Sequence, residues 1–410
     1  MLISNRGDII LNNMRAQRIL SLGNFLSSAH FFLIIYILAP FMAQVMPAGT
    51  SGLVISLGAI VTLTAFPLLP RFVGVHGAKK LAIVFALFES AVLFALYINP
   101  SPLLSILLVV LACATSPLLA YQLDLLLEAS VTDEHETGRV RTKFLTAANI
   151  ALILAPLAIG FILGSTSEYE KVFLVASLTL LPFIALISLA SFKTVVVPTV
   201  SSLGDATACI LRDRDLRAIA FCNICLQFFF HLAPLYVPLY LHNVLGIPWS
   251  TLGIIFAVML IPFVLIEYPA GYLADTRYGD KLFMIIGFVL MGGAFALTAF
   301  ITTSTSLLVI VLILVLSRVG AAFVEAMTEG HFFRRVSDRD TNTVMVFRMM
   351  RPGGALIAPI IGSLILSVTG YQNLFIITGI LVAVAGVASA RYLHELQPVL
   401  PTNDNSAFKV

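Results

Sequence analysis

Charged residues and cysteines are scarce in this sequence. Asp, Glu, Lys and Arg make up 11% of its 410 residues, against about 25% in an ordinary soluble domain. This composition excludes a soluble enzyme, and we predict that the protein is not an enzyme. The four cysteines lie in apolar segments or in a central loop, so no disulfide framework is expected.

Several motifs are missing as well. The sequence has no phosphate-binding loop, nucleophile elbow, zinc-ligand spacing or dinucleotide fingerprint. It therefore predicts no metal, no cofactor and no use of ATP, which leaves an ion gradient as the source of energy. A net charge of +3 is too small to indicate nucleic-acid binding.

Long apolar runs dominate the chain, with a mean hydropathy of +1.01. A helix of roughly 20 apolar residues crosses a bilayer, and runs of this length predict an all-α integral membrane protein with twelve transmembrane helices. The predicted spans lie near residues 19–43, 50–73, 80–98, 103–127, 143–164, 171–192, 218–242, 250–273, 281–302, 306–329, 344–368 and 373–392.

The basic residues predict the orientation. With both termini in the cytoplasm, 20 of the 24 Lys and Arg residues fall on the cytoplasmic side, and Lys171 alone falls outside. The remaining three, Arg318, Arg348 and Arg351, lie within spans. Positive residues concentrate on the cytoplasmic side of membrane proteins, so we expect cytoplasmic termini. Short loops fit a bacterial inner membrane.

The chain repeats itself at an offset of 201 to 203 residues. His30 recurs as His231, Gly77 as Gly279, and Ala155-Pro156 as Ala358-Pro359. We predict two pseudo-symmetric six-helix halves, residues 1–192 and 218–410, joined by a cytoplasmic linker, residues 193–217. In proteins with parallel six-span repeats, the substrate site lies between the two halves, and one half rocks against the other around that site. The repeat therefore indicates a transporter that works by alternating access.

One loop carries a family resemblance. Gly271-Tyr-Leu-Ala-Asp275-Thr-Arg-Tyr-Gly279-Asp-Lys281 resembles the short-loop signature of the major facilitator superfamily. The resemblance implies that Asp275 latches the cytoplasmic side shut by docking on a helix start in the other half. By pseudo-symmetry this would be the start of span 5, near Arg139, Arg141 or Lys143.

Two further elements are similar to motifs of that family. Ala155-Pro156-Leu-Ala-Ile-Gly160 looks like the element associated with drug antiporters, and Ala358-Pro359-Ile-Ile-Gly362 repeats it. The alternative interpretation is that both are proline kinks and close helix contacts. Ser317-Arg318-Val-Gly320 resembles the family's arginine element, displaced into span 10.

Ionisable groups at membrane depth are candidate functional residues because they are costly to bury. Carboxylates at the inner ends of spans 4 and 10 are expected to form gating ion pairs with arginines, or to include a proton site at Asp124 or Glu325. The predicted partners are Asp124 and Glu128 with Arg139 and Arg141, and Glu325 and Glu329 with Arg348 and Arg351.

Glu89 and Arg318 have no counterpart in the other half. Glu89 lies in the middle of span 3, where an isolated carboxyl group is expected to stay protonated until it is rehydrated. It is therefore either a proton-coupling residue or a hydrogen-bonding partner of a neighbouring helix. Arg318 is either a structural cation bonded to carbonyls or part of a substrate site.

Polar residues also follow one face of the first helix of each half. Their spacing predicts a substrate-binding wall or, alternatively, interhelical hydrogen bonds. The residues are Asn24 and His30 in span 1, and Asn223, Gln227 and His231 in span 7.

From these features we predict a monomeric secondary active transporter in the lipid bilayer. The expected activity is proton-coupled export of a small, partly apolar molecule, as in multidrug transporters. One alternative is a proton-coupled symporter that imports a polar or anionic metabolite. The other is a transport-inactive membrane sensor or assembly protein.

Overall fold

The computed structural model describes residues 2–98, 101–130, 134–192, 203–336 and 341–394. Within these ranges it describes no side chains for residues 2–13, 48, 134–139, 141–142, 203, 268, 275 and 341–342. All regular secondary structure in the described ranges is helical.

Twelve helices of the described chain are long and apolar enough to cross a membrane, and we number them as spans 1 to 12. They are Met14–Ile35, Ser51–His76, Ala78–Tyr97, Pro102–Ser130, Lys143–Leu163, Glu170–Leu189, Arg214–Val244, Trp249–Tyr278, Asp280–Phe300, Leu307–Arg335, Thr343–Thr369 and Tyr371–Arg391. The twelve-span, all-helical prediction is confirmed. Shorter helices are Leu38–Val45 after span 1 and Leu203–Arg212 before span 7.

Some predicted boundaries are wrong for identifiable reasons. Span 1 ends at Ile35 rather than near residue 43, because Pro40 has no N–H to donate to the carbonyl of Tyr36. Span 7 begins at Arg214 rather than near residue 218. Asp213 caps it there, its side chain accepting from the backbone N–H groups of residues 215 and 216 at 2.8 and 2.9 Å.

The predicted linker contains a ten-residue helix, Leu203–Arg212. Residues 193–202 of the linker lie outside the described part of the chain. The division into halves at residues 192 and 218 stays a prediction. We use "inner" for the helix ends that the basic residues assign to the cytoplasm, and "outer" for the opposite ends.

The two halves are packed together at their outer ends through glycines. A Cβ at Gly253 of span 8 would lie 2.5 Å from the carbonyl oxygen of Pro156 and 3.0 Å from Cα of Gly160, both in span 5. A Cβ at Gly52 of span 2 would lie 2.5 Å from Ser363 Oγ in span 11. Backbones approach this closely only where no side chain intervenes.

Hydrogen bonds between the halves reinforce this contact. The backbone N–H of Ser250 donates to the carbonyl of Gly164 at 2.9 Å, and Ser56 Oγ donates to the carbonyl of Leu356 at 2.9 Å. Ser167 Oγ and His242 Nε2 lie 3.0 Å apart. The outer side of the interface between the halves is therefore closed. We call this contact the outer seal.

The proline and glycine elements of spans 5 and 11 contribute to these contacts. Gly160 faces Gly253 across the halves, and Gly362 packs directly against the ring of Tyr236 in span 7. Tyr236 in turn donates to the carbonyl of Pro359 at 3.0 Å. The structure thus shows the close helix contacts that the sequence offered as the second interpretation of these elements.

Candidate functional site

A carboxyl group, a hydroxyl group and an imidazole meet inside the first half. Ser116 Oγ of span 4 donates to Glu89 Oε1 of span 3 at 2.8 Å. His30 Nε2 of span 1 lies 3.4 Å from Ser116 Oγ and 3.8 Å from Glu89 Oε1. Glu89 is fully buried, at 0% exposure. We call these three residues the Glu89 cluster.

Two atoms of the Glu89 cluster take no part in the contacts just given, although Thr115 lies close to the Glu89 carboxyl group and the backbone of Ser27 lies close to the His30 ring. They are Glu89 Oε2 and His30 Nδ1, and both are buried. A carboxyl group beside a hydroxyl donor and an imidazole is suited to holding and passing a proton. The sequence placed His30 in a substrate-binding wall, whereas the structure places it beside Glu89.

Arg318 lies buried in span 10, with 3% of its surface exposed. Its guanidinium carbon lies 4.9 Å from the ring centroid of Phe229 in span 7, a cation–π contact. Within the part of the chain that the structure describes, it forms no ion pair and no hydrogen bond. The carbonyl-bonded structural cation that the sequence offered as one alternative is therefore not seen in the described structure.

Aromatic rings fix the surroundings of Arg318. Phe229 packs edge-on against Phe295 at 5.3 Å, and Phe295 packs edge-on against Phe375 at 5.3 Å. From the first half, Tyr36 stacks on Phe256 of span 8 at 5.5 Å and interacts electrostatically with Arg318. The cation thus lies near the meeting of the two halves, on a rigid aromatic support.

The polar stripe of span 7 is engaged in helix contacts. Gln227 Nε2 donates to Asn223 Oδ1 at 3.2 Å, and Asn223 Nδ2 lies 3.6 Å from the sulfur of Met350 in span 11. His231 Nδ1 donates to the carbonyl of Gln227 at 2.8 Å. In span 1, Asn24 Nδ2 donates to the carbonyl of Phe144 at 2.8 Å. These contacts account for the stripe as helix-packing groups, and its role as a substrate wall stays a prediction.

The carboxylates expected to form the gate lie at the inner ends of spans 4 and 10. Arg348 Nη1 donates to Glu329 Oε1 at 2.9 Å, and Glu325 lies close enough to interact electrostatically with both Arg348 and Arg351. Asp124 and Glu128 are exposed at the inner end of span 4.

The remaining predicted gate and latch residues are the glycines of the loop signature, Asp275, and the arginines before span 5. Gly279 adopts a positive φ of 72°, as its first-half counterpart Gly77 does at 81°, while Gly271 lies in a helix. The side chains of Arg139, Arg141 and Asp275 lie outside the described part of the structure. The latch and the gate stay predictions.

Sequence reasoning missed a buried charge cluster at the inner end of the second half. His331 of span 10 is 1% exposed. Its Nδ1 lies 2.9 Å from Asp280 Oδ2 of span 9, and its Nε2 lies 3.0 Å from Asp215 Oδ2 of span 7. Both ring nitrogens thus face carboxylate oxygens, so the imidazole bridges the two aspartates.

Further groups complete this charge cluster. Arg335 Nε lies 2.8 Å from Asp215 Oδ2, and Arg334 pairs with Asp280. The backbone N–H of His394, just after span 12, donates to Asp215 Oδ1 at 2.9 Å. Four helix ends are thereby joined. Asp280 directly follows Gly279 in the loop signature. That signature is the sequence feature that lies at this charge cluster.

Comparison with known proteins places the chain in a family. The model of the Major Facilitator Superfamily matches residues 20–265 and 219–408. The probable sulfoacetate transporter SauU of Cupriavidus necator is 27% identical over 135 residues, which are 33% of this chain and 31% of that protein. The chain thus matches about a third of the length of this curated relative.

Two solved structures show the same fold. The nucleoside transporter NupG has a TM-score of 0.74 and 15% identity, covering 92% of this chain and 98% of its own. A bacterial homologue of the human lysosomal transporter Spinster, inward-facing and unoccupied, has a TM-score of 0.75 and 10% identity, covering 93% and 98%. By its twelve helices and by the family model that matches it along nearly its whole length, this chain belongs to the major facilitator superfamily of transporters.

Proposed function

We propose that this protein is a secondary active transporter that takes up a small organic anion together with protons. The observation that carries the proposal is Arg318, a buried cation that has no carboxylate partner among the described residues. A buried charge is costly unless it is paired. A substrate anion bound between the halves would supply the missing partner.

The chemistry of the guanidinium narrows the substrate class. Its planar fork binds carboxylate, sulfonate or phosphonate groups through two parallel hydrogen bonds, which an ammonium group does not match. The aromatic support around Phe229 and Tyr36 adds an apolar wall for the body of the substrate. The name of the relative, a probable sulfoacetate transporter, supports a small carboxylate- or sulfonate-bearing anion.

Proton coupling follows from the charge of such a substrate. Moving one negative charge inward against an inside-negative potential costs about 2.3 kcal/mol per 100 mV. Cotransport of a proton removes this cost and adds the pH gradient as a driving force. Glu89, with Ser116 and His30 beside it, is the proton carrier in this proposal.

Uptake of an anion is thus favoured over the drug export that the sequence led us to expect. The antiporter-like element of span 5 has a packing role here, since Gly160 lies directly against Gly253. No other described feature favours export specifically. A transport-inactive sensor is the remaining alternative, and it predicts binding without movement of substrate.

A ligand panel tests the proposed substrate class. Purified protein is heated in the presence of sulfoacetate, a nucleoside or the lipophilic cation tetraphenylphosphonium. A ligand at 100 times its Kd stabilises the folded state by about 2.7 kcal/mol, so we expect sulfoacetate or a similar anion to raise the melting temperature. Stabilisation by the lipophilic cation alone would instead support export, and binding without uptake into proteoliposomes would support a sensor.

Replacing Glu89 by glutamine tests the proposed proton coupling. The amide keeps the size of the side chain and can still accept from Ser116, but it cannot release a proton. We expect uptake of labelled anion driven by a pH gradient to fall to background in proteoliposomes, while anion exchange at equal pH continues. The control is Glu168→Gln, which alters an exposed carboxylate at the outer end. If Glu89→Gln lost gradient-driven uptake and anion exchange to the same extent, Glu89 would not be the proton carrier.

A further inference from the structure

We propose that protons reach Glu89 from the inner side through a hydrated path that passes Gln122 of span 4, separate from the anion site at Arg318. The proposal rests on the proton coupling proposed for Glu89. Gln122 is 0% exposed, and neither Nε2 nor Oε1 of its amide has a hydrogen-bond partner among the described residues. Ordered water normally satisfies such buried groups.

Helix geometry relates Gln122 to the Glu89 cluster. Gln122 lies seven residues after Thr115 in span 4, which places it on the same helix face and about 10 Å farther inward. Thr115 is the neighbour of Ser116, and Ser116 donates to Glu89. Gln122 is therefore the next buried polar residue on that face between Glu89 and the inner end.

Span 3 presents only small apolar side chains at the level of Gln122. It runs antiparallel to span 4, and Ala86 and Ala82 lie three and seven residues before Glu89 on the same helix face. Both alanines are buried. This face thus offers only methyl groups, and no hydrogen-bonding side chain, beside span 4 at the depth of Gln122.

Pro117 adds another polar group close to Glu89. It lies inside span 4, and because proline has no N–H, it cannot donate to the carbonyl of Cys113. The Cys113 side chain interacts electrostatically with Glu89, so this carbonyl lies in the same region. The carbonyl of Cys113, Glu89 Oε2 and His30 Nδ1 are further groups to which water can bind at the end of the path next to Glu89.

The groups that can titrate near Glu89 are few. In the described structure they are His30, from span 1, and the thiol of Cys113, from span 4. Span 6, which also packs on span 3, contributes the hydroxyl of Ser177 to Ser90. Glu89 is the only carboxyl group among them, so it gives up or takes the transferred proton.

The proposed step is a simple proton transfer. Glu89 releases its proton to a water molecule, the proton passes along hydrogen-bonded water to the inner end, and Glu89 is left as a carboxylate that accepts from Ser116. An amide both donates and accepts hydrogen bonds. Gln122 therefore positions the water without binding the proton itself.

Infrared spectroscopy of the reconstituted full-length protein tests this path without any substrate. On transfer from H2O to D2O, the carbonyl band of a protonated carboxyl group shifts as its proton exchanges, and the Glu89→Gln variant identifies the band of Glu89. We expect Gln122→Met, which keeps the length of the side chain but removes the amide, to slow this exchange by about tenfold or more, the effect of losing a buried hydrogen-bonding partner.

Two variants serve as controls. Gln122→Asn keeps the amide and is expected to exchange nearly as fast as the native protein. Thr328→Val removes a different buried polar group without a described partner, a hydroxyl in the second half. It should leave the rate of exchange at Glu89 unchanged. Native exchange rates in Gln122→Met would overturn the path, and so would the lack of a Glu89 carboxyl band. If the path fails in this way, anion binding at Arg318 still stands or falls by the ligand panel.

Discussion

Replacing Arg318 by methionine is expected to weaken the binding of a small organic anion by about 100- to 4,000-fold. Removing one partner of a buried charge pair costs about 3–5 kcal/mol, and each 1.4 kcal/mol is a factor of about ten in affinity. Methionine fills a similar volume and keeps an apolar contact with Phe229, so the loss isolates the charge. Lysine at this position should recover only part of the affinity, since it lacks the planar fork.

The same variant separates a substrate-binding arginine from a structural one. Without ligand, Arg318→Met is expected to be as stable as the native protein or more stable, because an unpaired buried cation is replaced by an apolar side chain. Melting curves with and without the anion measure both effects. Arg277→Met is the matched control, since Arg277 also lies over a ring, that of Tyr278 at 5.2 Å, but is exposed. A destabilised ligand-free protein with normal anion affinity would make Arg318 a structural residue.

Replacing His331 by leucine is expected to lower the free energy of unfolding by about 3–5 kcal/mol, the cost of breaking a buried charge network. Leucine would leave the buried carboxyl groups of Asp215 and Asp280 each without its contact to the imidazole. Chemical denaturation in detergent, followed by tryptophan fluorescence, measures the change, because Trp249 is the single tryptophan of the chain. We expect the half-transition to move to a lower denaturant concentration.

The structure supplies a control from the same charge cluster. His394 is 61% exposed and approaches Asp215 with its side chain at 3.7 Å, whereas its backbone N–H makes the hydrogen bond. His394→Ala keeps the backbone donor, so its effect should stay below about 1 kcal/mol, as for exposed ion pairs. If both histidine variants lowered the free energy of unfolding equally, the burial of His331 between the two aspartates would contribute nothing to stability.

Sequence patterns were sufficient to predict the features that depend on one helix at a time. The length and hydropathy of the apolar runs define the spans, since each span must bury about 20 residues in lipid. The repeat also paired Gly77 with Gly279, and the structure shows that both adopt positive φ. Helix ends were less accurate where a polar turn extends beyond the apolar run, as at Arg335.

Contacts between distant helices could not be predicted in this way. His30 and His231 correspond in the repeat, yet His30 lies beside Glu89 while His231 donates within its own helix. The difference arises from Glu89, which has no counterpart in span 9. Likewise, Asp215 and His331 are 116 residues apart in sequence, so only the packing of spans 7 and 10 brings them together.

The outer seal has a consequence for how the chain tolerates change. At Gly52, Gly160 and Gly253, even one added methyl group would overlap atoms of the opposite half. The nearest atoms around these three positions belong to the opposite half, so an added side chain would act against the closed outer side. Substitutions there are therefore expected to penalise the conformation in which the outer side is closed.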